Sequence, residues 1–424
     1  MLKKVQTTPD PPVAVHPSTA QEVAAALKRA SDRRESVVIR GAGTKIDWAR
    51  PAAQVDVMLD MRRLNRVLAH EHGDLTATIE AGATLRDVNQ ALARHRQWLP
   101  LDPPFADEGT IGGILATNDS GPLRHRYGTP RDLVIGIQLA TTDGVLAKAG
   151  GRVVKNVAGY DLSKLVTGSF GSLAAIVSAT FKLSPIPSAL KTMVVSVQDG
   201  AQLGAAVGIV MASQLEPIAF ELQVRRSTQS TQRTDFSADS ASSAFNVLLR
   251  FASLAAAVDA QIATASAALK GCATAIDVLD GNLELAAWHG HARRVWNADG
   301  AVVRASWLPA NVTTVLAELE QITAGARLSS APGQEGSATC EMIGRAGVGA
   351  GLIRLDMDEA AQAHAIQQLR TSASVGNVVL VRGSPALKAL VDVWGSHGDR
   401  QPLFASLKRA LDPNGVLNAG RGPL

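Results

Sequence analysis

The sequence predicts an α+β protein of two or three domains, and three observations carry that prediction. The chain has 424 residues, which is more than one hydrophobic core usually accommodates. Residues 13–185 alternate short apolar strands with capped helices, as one compact α/β unit would. After Pro185 and Pro187 the pattern changes to longer strands and alanine-rich helices. We therefore place the first domain boundary at these prolines.

Polar caps and β-branched runs define the expected elements of the first unit. Thr19 begins a capping box that predicts a helix, and Thr84 and Asp161 predict two more helix starts. The dipeptide Asp143-Gly144 between two apolar runs predicts a hairpin. The expected strands are 37–40, 55–59, 75–80, 134–142, 145–148 and 176–183.

The second unit has longer elements, separated by polar stretches. Residues 226–243 and 328–339 are rich in Ser, Thr, Gly and Gln, so we expect exposed loops there. The expected elements are helices over 201–214 and 253–270, a strand–helix–strand run over 352–380, and a helix from 401 that leads into Asp412-Pro413-Asn414-Gly415. We therefore divide the chain into residues 1–187, 188–400 and 401–424.

Composition excludes several classes of protein. The formal charge is +4, and basic residues are interspersed with acidic ones, so no basic stripe for nucleic acid is expected. The two cysteines, Cys272 and Cys340, have no CxxC spacing, which excludes iron–sulfur clusters and zinc knuckles on this chain. No apolar run approaches the roughly 20 residues of a membrane span. No hydrophobic segment follows Met1–Asp10, so we expect no signal peptide and a cytoplasmic location.

Two glycine-bearing stretches are the most informative part of the sequence. Arg40-Gly-Ala-Gly-Thr-Lys45 and Gly109-Thr-Ile-Gly-Gly113 each follow an apolar or extended run. Glycine lets the main chain reach an anion closely, and each stretch offers several unhindered N–H groups. Two such turns can approach a diphosphate from two sides, which suggests a bound dinucleotide such as FAD.

Several interpretations of the first stretch compete. A Rossmann fingerprint needs a small residue at position 46 and a helix after it, but position 46 is Ile. Asp60 does lie at a suitable spacing for a ribose contact. A phosphate-binding P-loop needs Gly-Lys-Ser/Thr, which is absent. An anion nest between two strands, with charge from Arg40 and Lys45, fits better. An isolated Gly-x-Gly can also be an ordinary surface turn.

Further motifs follow the two turns in one order and spacing. They are Ala116-Thr-Asn118, Ser120-Gly121, Tyr127-Gly128, Arg131-Asp132, Gly159-Tyr-Asp-Leu162, Gly168-Ser-Phe-Gly171 and Asp412-Pro-Asn-Gly415. As a set they closely resemble the vanillyl-alcohol oxidase family of FAD-binding proteins, also called the PCMH type. The resemblance covers residues 13–185 and returns at 401–421.

This resemblance implies a fold and a set of cofactor contacts. The fold is a PCMH-type FAD-binding domain of two α/β subdomains, with an antiparallel-sheet cap domain over the flavin. The first loop would wrap the pyrophosphate, and the second region would follow the ribityl chain and the ring. The implied FAD-binding residues are Arg40, Gly41, Ala42, Gly43, Thr44, Lys45, Thr110, Gly112, Gly113, Asn118, Gly121, Arg124, Lys155 and Ile176. Some members attach the flavin through a histidine in the first loop; Gly43-Thr44-Lys45 has none, so we expect non-covalent FAD.

The catalytic machinery is less evident. Oxidation of a 2-hydroxy acid needs a base and a cation for the carboxylate. Relatives with that chemistry carry a histidine pair near acids, and this pattern is absent. His289 and His291 could ligate a metal from a strand, but a loop role is the preferred interpretation, and we predict no metal and assign no catalytic residue. His125 suggests a phosphate or structural role. Lys155 could stabilise reduced flavin or form a salt bridge on a loop.

Three further segments, 150–162, 303–309 and 344–349, resemble the FAD-binding subunit of bacterial glycolate oxidase. The resemblance implies a complex with a catalytic flavoprotein subunit and an iron–sulfur subunit. This complex would oxidise glycolate to glyoxylate, and its partners could bring the chain to the inner face of the membrane. The enzyme alternative is a self-sufficient FAD-dependent 2-hydroxy-acid dehydrogenase. The non-enzyme alternative is a scaffold protein that has lost FAD affinity.

Overall fold

The computed structural model describes residues 11–52, 54–151, 160–227, 243–328 and 338–423. The strands are β1 Val13–Val15, β2 Val37–Arg40, β3 Val57–Asp60, β4 Val67–Glu71, β5 Thr76–Glu80, β6 Gln97–Trp98, β7 Val134–Ala140, β8 Leu146–Gly150, β9 Ala175–Lys182, β10 Ser184–Pro185, β11 Ala189–Val197, β12 Ala219–Ser227, β13 Ser243–Ser253, β14 Ala275–Leu279, β15 Ala301–Trp307, β16 Thr339–Arg345, β17 Ala350–Asp356 and β18 Val375–Arg382. The helices are α1 Ala20–Arg33, α2 Leu85–Leu92, α3 Ile111–Thr117, α4 Arg124–Tyr127, α5 Pro130–Leu133, α6 Leu162–Val166, α7 Gly200–Met211, α8 Ala255–Leu269, α9 Gly281–Arg293, α10 Val312–Leu328, α11 Glu359–Thr371, α12 Pro385–Leu390 and α13 Gln401–Leu411.

These elements form two compact units. The first comprises residues 1–120, 128–186 and 397–424, and the second comprises 121–127 and 187–396. The sequence did not indicate that the short segment 121–127, which contains α4, groups with the second unit. The polar stretches expected as loops at 226–243 and 328–339 lie largely outside the described residues.

A parallel sheet and an antiparallel sheet build the first unit. The parallel sheet has the order β1-β3-β2, and Leu417 adds a parallel bridge to Val37. The antiparallel sheet has the order β4-β5-β9-β7-β8. Leu27 of α1 and Leu59 of β3 are fully buried in the core of the parallel sheet. Truncation of such a leucine to alanine costs roughly 2–5 kcal/mol, so this core contributes to the stability of the sheet that carries β2.

Local capping signals have the predicted effect in the first unit. The Thr19 hydroxyl accepts from the N–H of Glu22 and begins α1, while the Glu22 carboxylate accepts from the N–H of Ser18. Thr84 and Asp161 cap α2 and α6 in the same way. A Thr or Asp cap of this kind is worth about 1 kcal/mol. These helices are therefore fixed largely by their own sequence.

An antiparallel sheet of eight strands dominates the second unit, in the order β14-β11-β13-β12-β16-β17-β15-β18. Met193, Val247 and Leu249 belong to one face of this sheet and are fully buried, where α7 and α8 pack. The opposite face carries polar residues beside a small apolar cluster, and α9 covers part of it with Glu284, Trp288 and His291. The α+β fold with an antiparallel second sheet is thus confirmed. Among the described helices, none is long and apolar enough to cross a membrane.

Candidate functional site

The first loop begins where a strand of the parallel sheet ends. Open sheets of parallel strands bind ligands outside the carboxyl ends of their strands, and β2 ends at Arg40. Gly43 has a φ of 82°, a conformation that costs a residue with a side chain about 1 kcal/mol or more. A Cβ at Gly43 would also lie 3.1 Å from Nε of Arg40. The glycine therefore lets the Arg40 side chain lie across the loop.

Several donors of this loop have no acceptor among the described residues. No described residue accepts a hydrogen bond from the backbone N–H groups of Gly41, Ala42, Gly43 or Thr44. Nε of Arg40 is buried and also has no hydrogen-bond partner among the described residues. Buried donors are rarely left unpaired in a folded protein, because each costs about 1–3 kcal/mol. Successive free N–H groups beside a cation form an anion-binding nest that suits a diphosphate.

The second glycine stretch forms the start of α3 rather than a free turn. Its N–H groups are already bonded: Ile111 donates to the carbonyl of Ala83 at 2.9 Å, and Gly112 donates to the carbonyl of Ala81 at 2.7 Å. The N–H of Gly113 lies 3.4 Å from the Thr110 hydroxyl that caps the helix. The expectation that this stretch offers several free N–H groups is therefore wrong. α3 contributes a rigid wall instead.

The two glycine stretches face each other. A Cβ at Gly41 would lie 2.1 Å from Oγ1 of Thr110, so the loop and the cap of α3 touch. Nζ of Lys45 lies 3.5 Å from Oδ2 of Asp119, just beyond α3. A cleft open to solvent runs between the stretches, and residues of both stretches line its two adjoining sections.

Most of the residues expected from the sequence line this cleft. They are Arg40, Gly41, Ala42, Gly43, Thr44, Lys45, Thr110, Gly112, Gly113 and Ile176. Asn118 does not line it; its Oδ1 accepts a hydrogen bond from the N–H of Arg131 at 3.3 Å, and its backbone ends α3. Gly121 and Arg124 group with the second unit. Lys155 lies outside the described residues.

The lining residues that were not assigned to the site from the sequence include Phe170, Asn418 and Arg421. The backbone N–H of Asn418 donates to the carbonyl of Val37 at 2.8 Å, and its side-chain Nδ2 donates to the carbonyl of Phe170. Oδ1 of Asn418 is buried and has no hydrogen-bond partner among the described residues. The resemblance at 401–421 was the available signal for Asn418 and Arg421, and the motif Gly168-Ser-Phe-Gly171 was the signal for Phe170.

Arg421 supports the far end of the first loop. Its guanidinium donates to the carbonyls of Ile46 and Trp48, the latter at 3.4 Å. Burial lowers the pKa of Arg421, while the nearby carboxylate of Asp47 opposes that shift. The guanidinium remains a cation at neutral pH because arginine is effectively always protonated in proteins.

Asp60 does not face a ribose. Its carboxylate accepts two hydrogen bonds from Nε and Nη2 of Arg62 at 2.9 and 2.6 Å, and a third from the N–H of Arg62 at 3.1 Å. These bonds hold the pKa of Asp60 below its ordinary value. Asp60 therefore fixes the turn after β3.

The histidine pair of the second unit also has a structural setting. Both His289 and His291 lie on helix α9, not on a strand or a loop. Nε2 of His291 lies 2.9 Å from the buried carboxylate of Glu221, and its Nδ1 lies 2.9 Å from Nε2 of Gln223. Within the described ranges, no group of three or more His, Cys, Asp or Glu side chains is arranged to hold a metal ion. His291 therefore serves the packing of α9.

His125, on α4, packs edge-on against Phe220 with ring centroids 6.0 Å apart. Burial lowers the pKa of His125, and the charge of Glu221 partly opposes that shift. Burial also raises the pKa of Tyr127 in the same segment. At neutral pH both side chains are therefore uncharged, which fits packing better than a phosphate contact.

Residues 11–150 match the family described as FAD binding domain. Over 216 residues the chain is 31% identical to the glycolate oxidase subunit GlcD of Bacillus subtilis, covering 51% of this chain and 46% of that protein. It is 33% identical over 220 residues to the mitochondrial cytochrome-linked D-lactate dehydrogenase of Arabidopsis thaliana, covering 51% and 38%. The glycolate oxidase subunit GlcE of Escherichia coli is 33% identical over 193 residues, covering 45% and 53%. The chain thus spans about half the length, or less, of these curated relatives.

Among solved structures, alkyldihydroxyacetonephosphate synthase superposes with a TM-score of 0.68 at 18% identity, covering 96% of this chain and 76% of that one. This likeness supports the shared fold. The matched family, the nest of free N–H groups and the cleft agree with each other. Residues 11–150 match an FAD-binding domain, and this match indicates FAD as the cofactor that the domain binds.

Proposed function

We propose that this chain is the FAD-binding subunit of a complex that oxidises glycolate to glyoxylate. The observation that carries the proposal is the nest of unpaired N–H groups at Gly41–Thr44 beside the unpaired Nε of Arg40. It lies in the domain that matches the FAD-binding family. Two curated relatives of that domain are named as subunits of glycolate oxidase.

The residues of the cleft have distinct roles in this proposal. Arg40 and the N–H groups of the first loop hold the diphosphate of FAD through charge-assisted hydrogen bonds. The start of α3 and Ile176 line the path of the ribityl chain and the ring. Oδ1 of Asn418, which is buried and unpaired, accepts a hydrogen bond from the cofactor. When bound, FAD supplies an acceptor for two electrons from a hydroxy acid.

The flavin is held without a covalent bond. The first loop, Gly41–Lys45, contains no histidine that could attach it. Denaturation of the purified protein followed by filtration should move the yellow flavin into the filtrate. A flavin that stays with the denatured chain would contradict this part of the proposal.

Substrate oxidation is proposed to need partner subunits. The chain has only two cysteines, Cys272 and Cys340, so it carries no iron–sulfur cluster for electron exit. The second candidate function, a self-sufficient 2-hydroxy-acid dehydrogenase, draws support from relatives named D-lactate dehydrogenase and D-2-hydroxyglutarate dehydrogenase.

Anaerobic spectroscopy separates the two candidates. The FAD-loaded chain is mixed with glycolate or D-lactate, alone and together with co-expressed flavoprotein and iron–sulfur subunits. The subunit proposal predicts little loss of the flavin absorbance for the chain alone and bleaching in the complex with glycolate. Rapid bleaching of the isolated chain by either acid would favour the self-sufficient enzyme.

A further inference from the structure

A buried ion pair joins the two sides of the FAD cleft. Nζ of Lys45, at the end of the first loop, lies 3.5 Å from Oδ2 of Asp119. The two side chains are only 6% and 4% exposed. Nζ also lies 5.6 Å from the ring centroid of Trp48, a cation–π distance. Lys45 is thus enclosed by an acid and an aromatic ring.

The two cations of the first loop are therefore not equivalent. Nε of Arg40 is buried without a hydrogen-bond partner among the described residues, so Arg40 has a donor available for a ligand. Lys45 differs from Arg40 because its Nζ has a carboxylate, that of Asp119, at ion-pair distance. Moreover, the carboxylate of Asp119 would repel a nearby diphosphate unless Lys45 neutralises its charge.

We propose that Lys45 and Asp119 form a tie that fixes the first loop against the end of α3, and that Lys45 acts on FAD through this tie rather than by touching the phosphates. The inference rests on the proposed role of the cleft in FAD binding. It makes Lys45 and Asp119 positioning residues. Arg40 and the N–H groups of the loop remain the phosphate ligands.

The tie contributes to affinity by ordering the loop before the cofactor arrives. Residues 41–44 lack hydrogen bonds from their N–H groups to described residues, so the tie adds to the few contacts that fix their backbone. Ordering a flexible segment on binding weakens affinity, and preorganisation removes that cost. Removal of one member of a buried ion pair leaves an uncompensated charge, which disturbs the local structure strongly.

The test is an FAD titration of apoprotein, followed by quenching of flavin fluorescence. The variants are Asp119→Asn, Lys45→Met and the double variant, with Asp32→Asn as control because Asp32 forms an exposed pair with Lys28 at 3.0 Å. The tie predicts that each single variant weakens FAD binding by about tenfold or more. The double variant should be no weaker than the worse single one, because the two residues act as one unit. The control should bind as the natural protein does.

Direct phosphate contact by Lys45 predicts the opposite sign for one variant. Asp119→Asn would then bind FAD as tightly as the natural protein or more tightly, because a negative charge has been removed. That outcome, or unchanged binding in both single variants, would overturn the tie.

Amide hydrogen exchange of the apoproteins gives a second measurement that needs no ligand. The tie predicts faster exchange at residues 41–48 in Lys45→Met than in the natural protein, and unchanged exchange would overturn it even if Asp119→Asn fails to fold. If the natural protein does not bind FAD, the proposed function fails, while the exchange comparison still tests the tie.

Discussion

The substitution Gly41→Ala tests whether the contact between the first loop and α3 shapes the cofactor site. A Cβ at position 41 would lie 2.1 Å from Oγ1, 3.1 Å from Cβ and 3.2 Å from Cγ2 of Thr110. Real Cβ atoms do not approach other heavy atoms within 3.0 Å, so the loop or Thr110 must move by about 1 Å. Overpacking of this kind costs roughly 1–3 kcal/mol.

If the loop moves rather than Thr110, this cost lowers the affinity for FAD. We therefore expect Gly41→Ala to weaken FAD binding by about 5- to 150-fold, measured by fluorescence titration of the apoprotein. Gly73→Ala is the matched control in the same unit, because a Cβ there meets no atom within 4 Å. The double variant Gly41→Ala with Thr110→Ala removes Oγ1 and Cγ2 and should recover part of the affinity. Unchanged affinity in Gly41→Ala would refute the reasoning.

Three further predictions follow from buried or paired groups. Arg40→Met should weaken FAD binding by about 10- to 150-fold, the value of a hydrogen bond to a charged group; an unchanged titration would remove Arg40 from the site. Burial raises the pKa of the Cys340 thiol to about 11. A thiol reagent at pH 8 should therefore modify only Cys272 in the folded protein and both thiols after denaturation. Rapid modification of two thiols in the folded state would contradict this. Because Arg62 lowers the pKa of Asp60, the stabilisation it brings is present above the unfolded pKa of about 4 and is lost as the pH falls through the lower folded value. Melting temperatures from pH 2.5 to 5 should therefore fall less steeply in Asp60→Asn, and parallel curves would argue against this pairing.

Much of the first unit could be predicted because its signals are local. Thr19, Thr84 and Asp161 cap helices with their own side chains, and Asp143-Gly144 makes the turn between β7 and β8. The helix α3 could not be predicted, because its glycines are poor helix formers. Hydrogen bonds to Ala81 and Ala83, distant in sequence, hold its first turn.

The helix α9 was missed for a related reason. Its buried positions Glu284, Trp288 and His291 are polar or amphipathic, while Leu283 and Leu285 are exposed. The usual apolar stripe of an amphipathic helix is therefore absent. The ion-pair partners Glu221 and Arg250 lie on the face of the sheet that α9 covers. They explain why Glu284 and His291 of the helix face the sheet.

For the site, the sequence indicated the first loop because glycines at such spacing serve anion nests. It could not show which N–H groups remain free, since that depends on the partners that the fold supplies. The contributions of Phe170 and Asn418 depend on the return of the carboxyl-terminal segment, where Asn418 pairs with Val37 and Phe170.

Amide hydrogen exchange with and without FAD tests the central claim most directly, namely that the backbone of Gly41–Thr44 holds the diphosphate. Saturating FAD should slow exchange strongly in a peptide that covers residues 39–46, because the N–H groups of Gly41–Thr44 have no acceptor among the described residues. It should change exchange little at residues 111–113, whose N–H groups already have acceptors. Unchanged exchange over 39–46 in the FAD-saturated protein would contradict the account.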